Sequence, residues 1–67
     1  MMTLVEVAAC LGRLREADVL LAQVRGAFIV AQEAAGARLA NDAIGLVADL
    51  MRMLDAEEHR LTGHGRG

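Results

Sequence analysis

The stretch Gly36–Asp42, "GARLAND", stands between two long runs that both read as helix. Whether it turns the chain or lies within a helix decides between a hairpin and a rod. A turn is the favoured reading. Gly36 follows "QEAA" and suits a left-handed position just past a helix end. Asn41 or Asp42 can then cap a second helix, because a short polar side chain accepts one of its free N–H groups. The competing reading carries a helix through "GARLAN", since Ala37, Arg38, Leu39 and Ala40 all favour helix. In that case the second helix starts directly after Gly36.

Outward from this stretch, the first helix begins at "TLVE". Thr3 with Glu6 three residues on is a capping box, in which each side chain satisfies the other residue's backbone N–H. Gly12 and Gly26 each weaken a helix by about 1 kcal/mol relative to Ala. Neither is followed by a cap or a proline, so the helix is expected to run through both; a break at Gly12 would give three helices. The expected fold is all-α: a helical hairpin with a long helix over about 3–35 and a shorter one over about 42–61. Residues 1–62 form a single helical domain, and "GHGRG" (63–67) forms a flexible glycine-rich tail.

Composition supports this class. The 67 residues are 55% hydrophobic, with one aromatic, Phe28, and no proline. A β-fold would carry more β-branched and aromatic residues and more turn signals. A chain this short buries only about 60% of its unfolded surface and usually needs a staple. Cys10 is the single cysteine, so a disulfide framework is excluded. Oligomerisation is the remaining staple, and the hairpin is expected to assemble as a homodimeric or higher antiparallel helical bundle, such as a four-helix bundle.

The spacing of apolar residues names candidate surfaces. Read in sevens, Val7, Leu14, Leu21, Phe28 and Ala35 form one column, and Leu4, Leu11, Asp18, Arg25 and Gln32 its neighbour, as in a coiled-coil seam. A second helix shorter than the first would leave Leu4, Val7, Leu11 and Leu14 uncovered. Two copies packed antiparallel about residue 21 would bring Asp18 of one to Arg25 of the other, twice, as a two-fold interface requires. The expected self-association interface is therefore Leu4, Val7, Leu11, Leu14, Asp18, Leu21, Arg25 and Phe28. On the second helix the apolar stripe of Ile44, Val47, Met51 and Leu54 is widened by Leu39, Leu46, Leu50, Met53 and Leu61. This exceeds the roughly 100° an amphipathic helix needs, and Leu46, Leu50 and Met53 are the candidate face for a partner protein.

Other chemistry is weakly represented. Cys10 has no neighbour in sequence to lower its pKa and reads as an inert thiol on the apolar side. Cys10, His59 and His64 could approach in a hairpin, but their spacing matches no zinc motif. In "EEHR" (57–60) consecutive side chains diverge around the helix. The glycines at 63, 65 and 67 lack the strand, lysine and hydroxyl of a phosphate loop. Arg15–Asp18, Asp49–Arg52 and Glu57–Arg60 are spaced to pair on exposed faces. No catalytic residue, cofactor or metal site is expected, and no enzyme activity.

Formal charge is -2 with no lysine, so no basic face for nucleic acid is expected. The uncharged runs are too short to span a membrane, and the first residues lack the basic start of a signal peptide. Lysine absence beside abundant Ala, Gly and Arg is the usage of a GC-rich bacterial genome. The expected protein is a cytoplasmic, non-catalytic interaction module, an adaptor, chaperone or regulator. Its partners would be itself and another protein, with no nucleic acid, membrane or small-molecule substrate. The alternative is a structural subunit of a larger helical complex.

Overall fold

The computed structural model describes residues 1–63. It is a two-helix hairpin, α1 (Leu4–Val30) and α2 (Ala34–Gly63), and the described residues contain no strand. The particle is 54 Å long and 16 by 15 Å across. Thr3 caps α1 as the sequence indicates: its backbone N–H donates to Glu6 Oε1 at 2.8 Å, and its Oγ1 accepts from the Glu6 N–H at 3.2 Å. α1 passes through Gly12 and Gly26 without a break.

The turn lies upstream of "GARLAND", at Ala31–Glu33. Gln32 adopts a left-handed backbone with φ of 61°. Its N–H donates to the Ile29 carbonyl at 3.0 Å, and the Glu33 N–H reaches back to the Phe28 carbonyl at 2.8 Å. This bond pair is the Schellman motif, which satisfies carbonyls left over at a helix end. The Glu33 carbonyl then accepts from the Ala37 N–H, so α2 starts at once. The expectation of a turn at 36–42 is thereby corrected, and the helix runs through "GARLAND" as the competing reading allowed, starting even before Gly36.

Gly36 serves a different purpose from the one expected. A Cβ at this position would stand 2.5 Å from Phe28 Cδ1. The glycine lets the Phe28 ring lie against bare helix backbone, so the arms close tightly next to the turn. Asn41, expected as a cap, instead accepts a 2.9 Å bond from Arg25 Nη1 across the hairpin.

Moving the turn makes the arms nearly equal, 27 and 30 residues. Their register is regular: Phe28 faces Gly36, Arg25 faces Asn41, Leu14 lies beside Leu50 and Cys10 beside Leu54. Continued, it brings Val7 level with Glu57 and Glu58, and Leu4 level with Leu61. Val7, Leu11 and Leu14 are therefore not left uncovered, as a shorter second helix would have left them, whereas Leu4 stays exposed. Val7 is 0% and Leu11 3% exposed, and with Ala40 they form the buried core. α2 extends through Gly63; the rest of the expected tail, residues 64–67, lies outside the described residues.

Candidate functional site

The eight residues expected to meet a second copy follow the inner line of α1. Val7 and Leu11 are buried, Leu14, Asp18, Leu21, Arg25 and Phe28 are half-buried, and Leu4 is exposed. Arg25 is bonded to Asn41 of the same chain, and Phe28 is held on Gly36. The two apolar columns thus line the seam with α2. A second copy could reach Val7 and Leu11 only by opening the hairpin. Ala35, the expected end of one column, belongs to α2.

The residues free to meet something else lie beside this seam. Cys10, Arg13 and Leu14 share one groove with Leu50 and Leu54, which fixes the sides of the two helices that adjoin. At about 100° per residue, the α1 stripe through Cys10 and Arg13 continues to Ala17, Leu20 and Val24. The α2 stripe through Leu50 holds Leu39, Leu46 and Met53. Together they make one flank of the hairpin. Leu39, Leu46, Leu50 and Met53 are 69%, 65%, 47% and 68% exposed, and Leu20 and Val24 are also exposed. The three candidate partner-face residues, Leu46, Leu50 and Met53, thus stand together on an open surface. Leu20 and Val24 are additions. Their signal in the sequence was the spacing of four between two apolar residues beside the seam, outside the two columns read in sevens.

The polar groups are arranged for solvent. Asp49 pairs with Arg52 and Glu57 with Arg60, as their spacing indicates, and Arg60 Nε also donates to Glu57 Oε1 at 2.6 Å. Arg15 and Asp18, the third pair expected, form no ion pair among those of the described residues. Glu6 is held below the ordinary carboxylate value, first by the Thr3 backbone N–H and then by the Thr3 side chain. This shift belongs to the helix cap. Exposed paired charges of this kind contribute little to stability.

No side-chain cluster for chemistry is assembled among the described residues. None of their polar or charged residues is buried, and no three of His, Cys, Asp and Glu stand close enough to hold a metal ion. Cys10 is free and half-buried on the flank. His59 is exposed, and His64, the other imidazole weighed for a metal, lies outside the described residues. None of the described helices is long and apolar enough to cross a membrane. No family model, curated protein or solved structure matches the chain.

Proposed function

We propose that this chain is a non-catalytic protein–protein interaction module, an adaptor, chaperone or regulator, which acts through apolar helix faces as a homo-oligomer. The observation that carries the reading is the exposure of Leu39, Leu46, Leu50 and Met53 after the hairpin has closed on itself. A row of large apolar side chains in water is a contact surface in a folded protein, or a liability. The sparse core points the same way, since Val7, Leu11 and Ala40 are its buried members and small domains of this kind gain stability by association. A cytoplasmic setting is part of the proposal and rests on the single free thiol, which suits a reducing compartment.

The test is solution mass by light scattering across a dilution series, with helicity followed in parallel. A discrete dimer or tetramer supports the module. A helical monomer at every concentration overturns the homo-oligomer. A second reading, a structural subunit of a larger helical assembly, is favoured by further apolar side chains away from the flank: Val5, Val19 and Val30 are exposed on α1. Growth of the mass with concentration beyond any closed oligomer would select that reading.

A further inference from the structure

We infer that the hairpin exchanges arms with a second copy of itself: the turn at Ala31–Glu33 opens, and α1 of each chain packs on α2 of the other. The inference rests on the homo-oligomer reading above and deepens it by assigning how the second copy engages. It puts that copy on Val7 and Leu11, which are closed to it while the hairpin stays shut.

Strain in the turn is the first observation. Gln32 holds a φ of 61°, a left-handed backbone that is unfavourable for any residue with a Cβ. Ala31, Gln32 and Glu33 are all exposed, and none of the side-chain hydrogen bonds of the described residues involves them. The turn is held by backbone bonds, from the N–H groups of Ala31, Gln32 and Glu33 to the carbonyls of Ala27, Ile29 and Phe28. Alanine, glutamine and glutamate are also good helix formers, so no residue between the arms favours a turn by itself. A short hinge under strain is the condition that invites arm exchange.

The second observation is that the arms keep their contacts when they change partners. Phe28 on Gly36, the bond from Arg25 to Asn41, and the groove that Cys10 and Leu14 share with Leu50 and Leu54 join α1 to α2. The α2 of a second copy can supply each of them. Phe28 with Gly36, Leu14 with Leu50 and Cys10 with Leu54 are all centred on residue 32. The two-fold axis of an exchanged pair therefore passes at the level of the hinge, and both pairs of arms meet their native faces. The third observation is the small core. Val7, Leu11 and Ala40 are its buried members, so the arms give up little while they part. Exchange relieves two left-handed residues per pair, against the entropy of bringing two chains together, and its share grows with concentration.

The experiment reads which arms are neighbours. Leu54→Cys places a second thiol beside Cys10 across the seam, and a short bis-maleimide of about 10 Å reach, the spacing of packed helices, can join the two. In a closed hairpin the link is internal, and the chain runs as a monomer on denaturing gels even when two hairpins lie side by side. In an exchanged pair the link joins two chains. The expected result is a dimer band whose digest contains the link between positions 10 and 54, with a share that rises with protein concentration during a warm incubation before labelling. Gln32→Gly, at an exposed position, is the companion variant. It relieves the closed turn twice for each pair that comes apart, and is expected to raise the dissociation constant roughly tenfold or more while the helical signal persists. Where Leu54→Cys loses helicity, the Gln32→Gly comparison decides alone. A wild-type chain that is monomeric throughout overturns this inference together with the homo-oligomer. A wild-type dimer that links only within chains, or whose dissociation constant ignores Gln32→Gly, overturns arm exchange alone.

Discussion

Two glycine-to-alanine substitutions in this hairpin should move stability in opposite directions. At Gly26 a Cβ meets nothing within 4 Å. Gly26→Ala therefore collects the helix-propensity gain of about 1 kcal/mol. At Gly36 the same methyl would stand 2.5, 2.6 and 2.7 Å from three atoms of the Phe28 ring, where ordinary carbon contacts are about 3.5–4.0 Å. The ring meets the methyl broadside, through Cγ as well as Cδ1 and Cε1, so a small swing of its tip does not relieve the clash. The arms must part by about 1 Å or Phe28 must leave its place. Overpacking of this order costs about 1–3 kcal/mol. Because the propensity gain is common to both variants, their difference reports the steric cost alone. For a domain of this size the two melting temperatures should differ by on the order of 10 °C. The assay is thermal unfolding by circular dichroism at one fixed protein concentration, since association shifts the midpoint. In a Phe28→Leu background the penalty at Gly36 should shrink. If Gly36→Ala melts as high as Gly26→Ala, the close approach at the turn is not what excludes a side chain there.

Three further outcomes follow from the same structure. Gln32→Gly should raise stability by about 1 kcal/mol, because the left-handed backbone at that position strains every residue but glycine; a fall would show that the Gln32 side chain holds the turn. Leu11→Ala should lower it by about 2–5 kcal/mol, read as a lower urea midpoint with an unchanged slope. Thr3→Ala should cost about 1 kcal/mol at neutral pH. The Glu6 half of that cap follows a carboxyl whose folded-state pKa is lowered. Its contribution is therefore fully present above the ordinary carboxylate range and is lost as pH falls through the lowered value. An acid titration comparing wild type with Glu6→Ala, which removes the carboxylate that accepts from the Thr3 backbone N–H, should show their difference narrowing over that window.

The parts of this fold that could be read in the sequence are those fixed by neighbours in the chain. Thr3 and Glu6 are three residues apart, and the bonds they make need nothing else. The column of Val7, Leu14, Leu21 and Phe28 was legible as a seam because period alone defines a face. Its partner was not, since period does not say whether a helix from the same chain or another copy covers that face. The turn escaped for a related reason. Gln32 pays a left-handed strain of only about 1–2 kcal/mol, which packing elsewhere offsets, and nothing in "VAQEA" announces it. Gly36 did announce itself, but a glycine can signal either a turn or a close approach, and the Phe28 ring that decides between them lies eight residues earlier. On the flank, Leu46, Leu50 and Met53 were legible as surplus apolar surface. Leu20 and Val24 were not, because their role depends on which side of α1 adjoins Leu50.

The register of the hairpin also orders the way it forms. Phe28 and Gly36 are separated by a short loop, so their contact costs little chain entropy, while Val7 must find the far end of α2 across some fifty residues of loop, at a cost that grows only logarithmically with length. The arms can zip from the turn outward, and the most deeply buried contacts, at Val7 and Leu11, close last. Perturbing the Phe28–Gly36 contact should then slow folding, whereas trimming Leu11 should chiefly hasten unfolding. Kinetic persistence of the closed state would reside at the open end of the hairpin, where the two arms are held together without a covalent link.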